Sequence, residues 1–126
     1  MKIGQVAERA GVSVDTVRFY ERRGVLPEPD RMPSGYRTYS EATVERIRLA
    51  RRLQELGLTL AEVIDALHAK EDGSASCASE RWRLVAVLER IEQKLAELRA
   101  VRGEVRSVLA ACDEGACIFA GSRPSP

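Results

Sequence analysis

At 126 residues, with a formal net charge of +1 and 44% hydrophobic content, the chain has room for one small domain and an extended helix, but not for two ordinary cores. No apolar run approaches the roughly 18–20 residues of a membrane span, and Met1-Lys2-Ile3-Gly4 leads into a helical pattern without a signal-peptide core. A cytoplasmic protein with no membrane partner is the expectation, and in a reducing compartment three cysteines point to metal or redox chemistry rather than disulfides.

The small net charge conceals an asymmetry. Residues 1–60 hold eleven Lys/Arg against eight Asp/Glu, and residues 61–126 hold nine against eleven, so the first half is the one to test for nucleic acid. Ile3, Val6, Ala7 and Ala10 stand at helical spacing; after the Ala10-Gly11-Val12 break, Ser13 can cap a second helix to about Arg22, giving a helix-turn-helix. Pro27, Pro29, Pro33 and Gly35 exclude a helix over the next stretch, and Gly35-Tyr36-Arg37-Thr38-Tyr39 has the content of a short hairpin strand, a wing. Ser40 can cap a third helix that Gly57 stops, and Thr59-Leu60-Ala61-Glu62 matches a capping box opening a fourth helix to about Ala69. The polar run Glu71 to Ser76 separates head from arm.

From Leu84 the apolar residues Leu84, Leu88, Ile91, Leu95 and Leu98, resuming at Val105 and Leu109, repeat with the four-and-three spacing of a coiled-coil seam. Arg102, with Gly103, interrupts it and should weaken packing locally. The expected divisions are a DNA-binding domain over 1–72, a dimerisation helix over 73–111, a loop over 112–119 and a disordered tail over 120–126. Cys77 stands before the long helix, and Cys112 and Cys117 after it. Thirty-five positions of straight helix separate Cys77 from Cys112 by about 50 Å, so one chain does not easily close the gap. Two antiparallel copies do, which argues for a homodimer with two shared sites.

A helix-turn-helix places its second helix in the major groove. Ser13, Thr16, Arg18 and Tyr20 offer a groove-facing polar stripe, with Arg18 the strongest candidate for a base or phosphate contact through its fork of donors. Tyr36, Arg37 and Tyr39 would extend the footprint onto phosphates. Cys77 near a helix N-terminus should be acidified by the helix dipole, which favours both metal binding and oxidation. The lone His68 reads as a packing or surface residue. Trp82 and Leu84 read as core, and Ile118 and Phe119 as a short apolar cover over a metal. No Cys-His-acid arrangement or phosphate-binding glycine loop suggests an enzyme.

Ile3-Gly4-Gln5-Val6-Ala7, Gly11-Val12-Ser13, Thr16-Val17-Arg18-Phe19-Tyr20-Glu21, Gly24-Val25-Leu26 and Gly35-Tyr36-Arg37-Thr38-Tyr39 resemble the N-terminal signature of the MerR family of transcriptional regulators. The resemblance runs from Lys2 to about Phe119. It implies a mainly α fold: a winged helix-turn-helix head, a second helix pair and a long antiparallel coiled-coil dimerisation helix. It also implies a mechanism, in which the dimer sits on double-stranded promoter DNA and the inducer makes it distort that DNA until RNA polymerase can use the promoter. Cys77, Cys112 and Cys117 are similar, residue by residue, to the three thiols of the metal-sensing branch. There a cysteine at position 77 goes with divalent ions and a serine with copper(I), which implies Hg(II), Cd(II), Pb(II) or Zn(II) as inducer. Three thiolates suit Hg(II) or Pb(II), whereas Zn(II) would want a fourth ligand from Asp113, Glu114 or water. The spacing of Cys112 and Cys117, with four residues between them, is tighter than the family pattern. Two rival readings remain: a thiol redox or electrophile sensor on the same scaffold, and a metal storage or trafficking protein, which would not need the Arg18 helix or the wing.

Overall fold

A computed structural model describes residues 1–120. Helix α1 (Ile3–Ala10) ends on Gly11, whose φ of +72° provides the left-handed turn into α2 (Val14–Arg22). Ser13 caps α2 by accepting a hydrogen bond from the Thr16 amide. Strands β1 (Asp30–Arg31) and β2 (Arg37–Thr38) form the expected antiparallel hairpin, with Asp30 opposite Thr38 and Arg31 opposite Arg37. Helix α3 (Glu41–Glu55) starts at Ser40 by position only, because the Ser40 side chain makes no capping bond. Helix α4 (Leu60–Glu71) has the full reciprocal Thr59–Glu62 box and runs two residues beyond the expected Ala69. Helix α5 is one continuous helix, Cys77–Asp113, passing through Gly103 without a break, and a 3-10 turn follows at Ile118–Ala120. The expected tail lies, from Gly121 onward, outside the described residues. No helix among the described residues is long and apolar enough to cross a membrane.

Two compact units divide the chain, Met1–Leu84 and a second beginning at Val85. The first therefore takes in the opening turns of α5, beyond the polar run Glu71–Ser76. One reason is electrostatic: Arg83 on α5 reaches back to Asp65 on α4 at 2.7 Å and pairs with Glu80 at 2.9 Å. The core of this unit is apolar, centred on Val6, Val17, Val25, Val44, Ile47, Val63 and Leu67, with no buried charged side chain among the described residues; its buried hydroxyls are those of Tyr20 and Tyr39. Arginines of α3 fasten the rest to it through main-chain carbonyls. Arg46 Nε donates to Val25 O at 2.6 Å, Arg48 to Arg9 O at 2.7 Å and Arg51 to Gly11 O at 2.9 Å. The last two satisfy carbonyls at the C-terminal end of α1, where the helix dipole favours a cation.

The second unit differs in composition of its surface. Leu88, Ile91, Leu95, Leu98, Val105 and Leu109 are between 45% and 59% exposed along α5. Trp82 and Leu84, expected in the core, are exposed as well. A single helix has no concave side, so a seven-residue repeat on it stays open until another surface covers it.

Candidate DNA-binding face and thiol site

Four of the expected DNA-contacting residues come together. Arg18 on α2 and Tyr36, Arg37 and Tyr39 of the wing line one open depression of about 750 Å³, which Lys2, Arg22, Glu21 and Glu28 also border. Arg18 and Tyr36 are exposed. Phe19, next to Arg18 in the chain, has the guanidinium carbons of Arg23 and Arg22 at 5.6 and 6.0 Å from its ring centre, and Arg22 is the one of the two that also borders the depression.

The other expected contacts are occupied elsewhere. Ser13 and Thr16 are paired with each other, hydroxyl to hydroxyl at 2.9 Å, at the start of α2. Tyr20 is buried, and its hydroxyl donates to Gln54 Oε1 at 2.6 Å, so it joins α2 to α3 instead of facing a groove. Burial holds its hydroxyl above the ordinary phenol range, with Arg51 pulling modestly the other way. The reason was present in the sequence: Tyr20 follows the core residue Val17 by three positions, on the same helical face. Of the four residues that line the depression, Tyr39 is buried as well, its hydroxyl donating to Glu21, so it braces the wing and is not a free phosphate donor.

Cys77 is the first residue of α5 and is exposed. A feature missed in the sequence positions it: Ser76 and Ser79 cap the helix reciprocally, with Ser79 N to Ser76 Oγ at 3.0 Å and Ser76 N to Ser79 Oγ at 2.9 Å. Glu80 then lies between Arg83 and Ser79, which together hold its carboxyl below the usual range, Arg83 first. Beside Cys77 lies an apolar hollow of about 710 Å³ lined by Leu49, Leu53, Leu56, Leu58 and Leu84.

At the other end of α5, Gly115 adopts φ +92° and Ala116 N donates to Ala111 O at 2.8 Å, folding the chain back after Asp113. The turn brings the thiols of Cys112 and Cys117 together. The Cys117 thiol is held below its ordinary range, first by the Phe119 amide and then by the Cys112 thiol. Phe119 and Ile118 are 94% and 64% exposed, so within one chain they are not packed as the apolar cover that the sequence suggested. Among the described residues no three His, Cys, Asp or Glu side chains of the one chain converge on a common point. His68, late in α4, is exposed.

The sequence matches the description "MerR HTH family regulatory protein" over residues 1–70 and "MerR, DNA binding" over residues 44–108. The chain belongs to the MerR family of transcription regulators. It is accordingly a DNA-binding regulator and not an enzyme. Among MerR-family relatives, it is 35% identical to the mercuric resistance operon regulatory protein of Bacillus cereus, over 94% of this chain and 89% of that protein. The transcription regulator PbrR691 of Ralstonia metallidurans CH34, solved in complex with lead(II), superposes with a TM-score of 0.81 at 32% identity, covering 88% of this chain and 87% of that one. The dual-function regulator MerR of Bacillus megaterium MB1, solved with mercury(II), gives 0.65 at 32% identity, covering 87% and 85%.

Proposed function

We propose that this MerR-family chain is a metal-responsive regulator that binds double-stranded promoter DNA as a homodimer. Its inducer is a soft divalent ion, Hg(II), Cd(II), Pb(II) or Zn(II), held by Cys77 of one protomer with Cys112 and Cys117 of its partner. The observation that carries this reading is the placement of the thiols. Cys77 opens a 37-residue helix and Cys112 is its next-to-last residue, so a second, antiparallel copy is the economical way to join them. The half-exposed seam of α5 supplies the surface for that copy. The names of the relatives, mercuric regulators and lead- and mercury-bound structures, support the class of inducer.

The donor set fits such an ion. Thiolates select soft metals, and they must be deprotonated to bind; the Cys117 thiol is held below its ordinary range, which eases that step. Asp113 and Glu114, exposed beside the pair, are available as a fourth ligand for Zn(II). On the DNA side Arg18 reads or anchors from the recognition helix while Tyr36 and Arg37 hold phosphates from the wing. A metal bond that ties two chains biases the dimer between two arrangements, and DNA bound to it is deformed at the cost of contact energy until RNA polymerase can engage the promoter elements.

Titration of the reduced protein with each of these ions and with Cu(I), by thiolate-to-metal absorption or chelator competition, tests the reading. One divalent ion per chain, lost in Cys77→Ser, is the expected result. Weak, non-stoichiometric binding by every ion would refute it. That outcome would favour the second reading, a redox or electrophile sensor, which the contact between Cys112 and Cys117 and the lowered pKa of the Cys117 thiol also support.

A further inference from the structure

For a winged head to read DNA, the recognition helix and the wing must be held at a set angle, so that their donors meet base edges and phosphates at once. Two side-chain hydrogen bonds join β2 and Tyr39 just beyond it to α2, and both end on the same residue. Arg37 Nη1 donates to Glu21 Oε2 at 2.6 Å, and the Tyr39 hydroxyl donates to Glu21 Oε1. The Glu21 side chain is 9% exposed and that of Arg37 is 45% exposed, so the acid lies beneath the surface and the guanidinium lies over it. Burial and then Glu21 itself keep the Tyr39 hydroxyl protonated above the ordinary phenol range, so it remains a donor.

On electrostatic grounds alone, an acid bordering the depression that holds Arg18 and Arg37 is misplaced, because it repels phosphates. Its two engaged oxygens give it another use. We propose that Glu21 is a positioning residue for DNA recognition: its carboxylate clamps the wing to the recognition helix and aims Arg37, so that Arg37 and Arg18 reach the duplex together. An arginine already held in one rotamer loses less freedom on contact than one swinging in solvent. The clamp thus gives more through orientation than Glu21 takes away through charge. The proposal rests on the DNA-binding role of the head, and its test separates the two.

Binding to a duplex from the chain's own promoter region is measured by fluorescence anisotropy over a series of salt concentrations, for wild type, Glu21→Gln, Tyr39→Phe, Arg37→Gln and the Glu21→Gln/Arg37→Gln double variant. Glu21→Gln should bind about tenfold more weakly despite its added positive charge, with a log–log salt slope shallower by about one phosphate contact. Tyr39→Phe, which cuts one arm of the clamp without altering charge, should weaken binding about threefold at unchanged slope. In the Arg37→Gln background, Glu21→Gln should have little further effect. Wild type that binds while Glu21→Gln binds equally well or better overturns the proposal alone, as do independent, additive losses in the double variant. Wild type that ignores the duplex at low salt overturns the DNA-binding reading and the proposal with it. Should Glu21→Gln melt below the assay temperature, Tyr39→Phe and Arg37→Gln decide the matter: no loss in Tyr39→Phe counts against the clamp.

Discussion

Leu95→Ala should weaken the dimer more than its modest size suggests, because of where Leu95 falls. The midpoint between Cys77 and Cys112 lies between Lys94 and Leu95, and that between Cys77 and Cys117 lies at Glu97. In an antiparallel pair that brings these thiols together, the two-fold axis therefore passes close to Leu95, which meets its own copy. Complete burial of a leucine is worth about 1.5–3 kcal/mol relative to exposure. Leu95 is 45% exposed in the single chain, so a partner has roughly half of that to gain, about 1 kcal/mol per chain. Both chains lose it together, which gives about 2 kcal/mol, or about a thirtyfold rise in the dimer dissociation constant. Sedimentation equilibrium measures this directly, with Gln93→Ala, on the opposite face of the helix, as control. A Leu95→Ala dimer as tight as wild type, or an equal loss in Gln93→Ala, would refute the antiparallel seam.

Cys112→Ser should leave promoter binding nearly intact while abolishing metal-dependent transcription in a reporter assay; Arg18→Ala should do the reverse, weakening DNA binding with metal affinity unchanged. Tyr20→Phe removes the bond to Gln54, and because Gln54 is exposed and regains water the loss is about 1 kcal/mol, a drop in melting temperature of about 4–8 °C for a small domain. Tyr20 and Tyr39 both have raised phenol values in the folded state. Their contribution to stability is therefore whole below the unfolded phenol value of about 10 and is lost as pH rises through the folded values. Tyrosinate absorbance during alkaline titration should show a late component that Tyr20→Phe and Tyr39→Phe each reduce; a titration complete at the ordinary value would contradict the burial of both hydroxyls.

Local chemistry was the legible part of this chain. Ser13, Gly11 and the Thr59–Glu62 box act within one turn of helix, so residue type and spacing were enough to place them. Proline and glycine marked the wing for the same reason. What escaped depended on partners distant in sequence. The burial of Tyr20 follows from its place on the Val17 face, but the partner of its hydroxyl, Gln54, is 34 positions away, and Tyr39 reads as a phosphate donor until its hydroxyl is seen on Glu21. Nothing within α2 reveals that both oxygens of Glu21 serve the wing. The reciprocal Ser76–Ser79 cap was hidden inside a polar run that also reads as linker. For the thiols, spacing pointed to two ends of one helix, while the contact between Cys112 and Cys117 needed the Gly115 turn.

The shared site is tested most directly by mixing two defective chains. Cys77→Ser and Cys112→Ser homodimers should each fail to bind the inducing ion tightly. After co-refolding, the heterodimer contains one intact site, made of Cys77 from the Cys112→Ser chain with Cys112 and Cys117 from the Cys77→Ser chain, so it should recover tight binding at one ion per heterodimer. A heterodimer as inert as its parents would contradict a site divided between protomers.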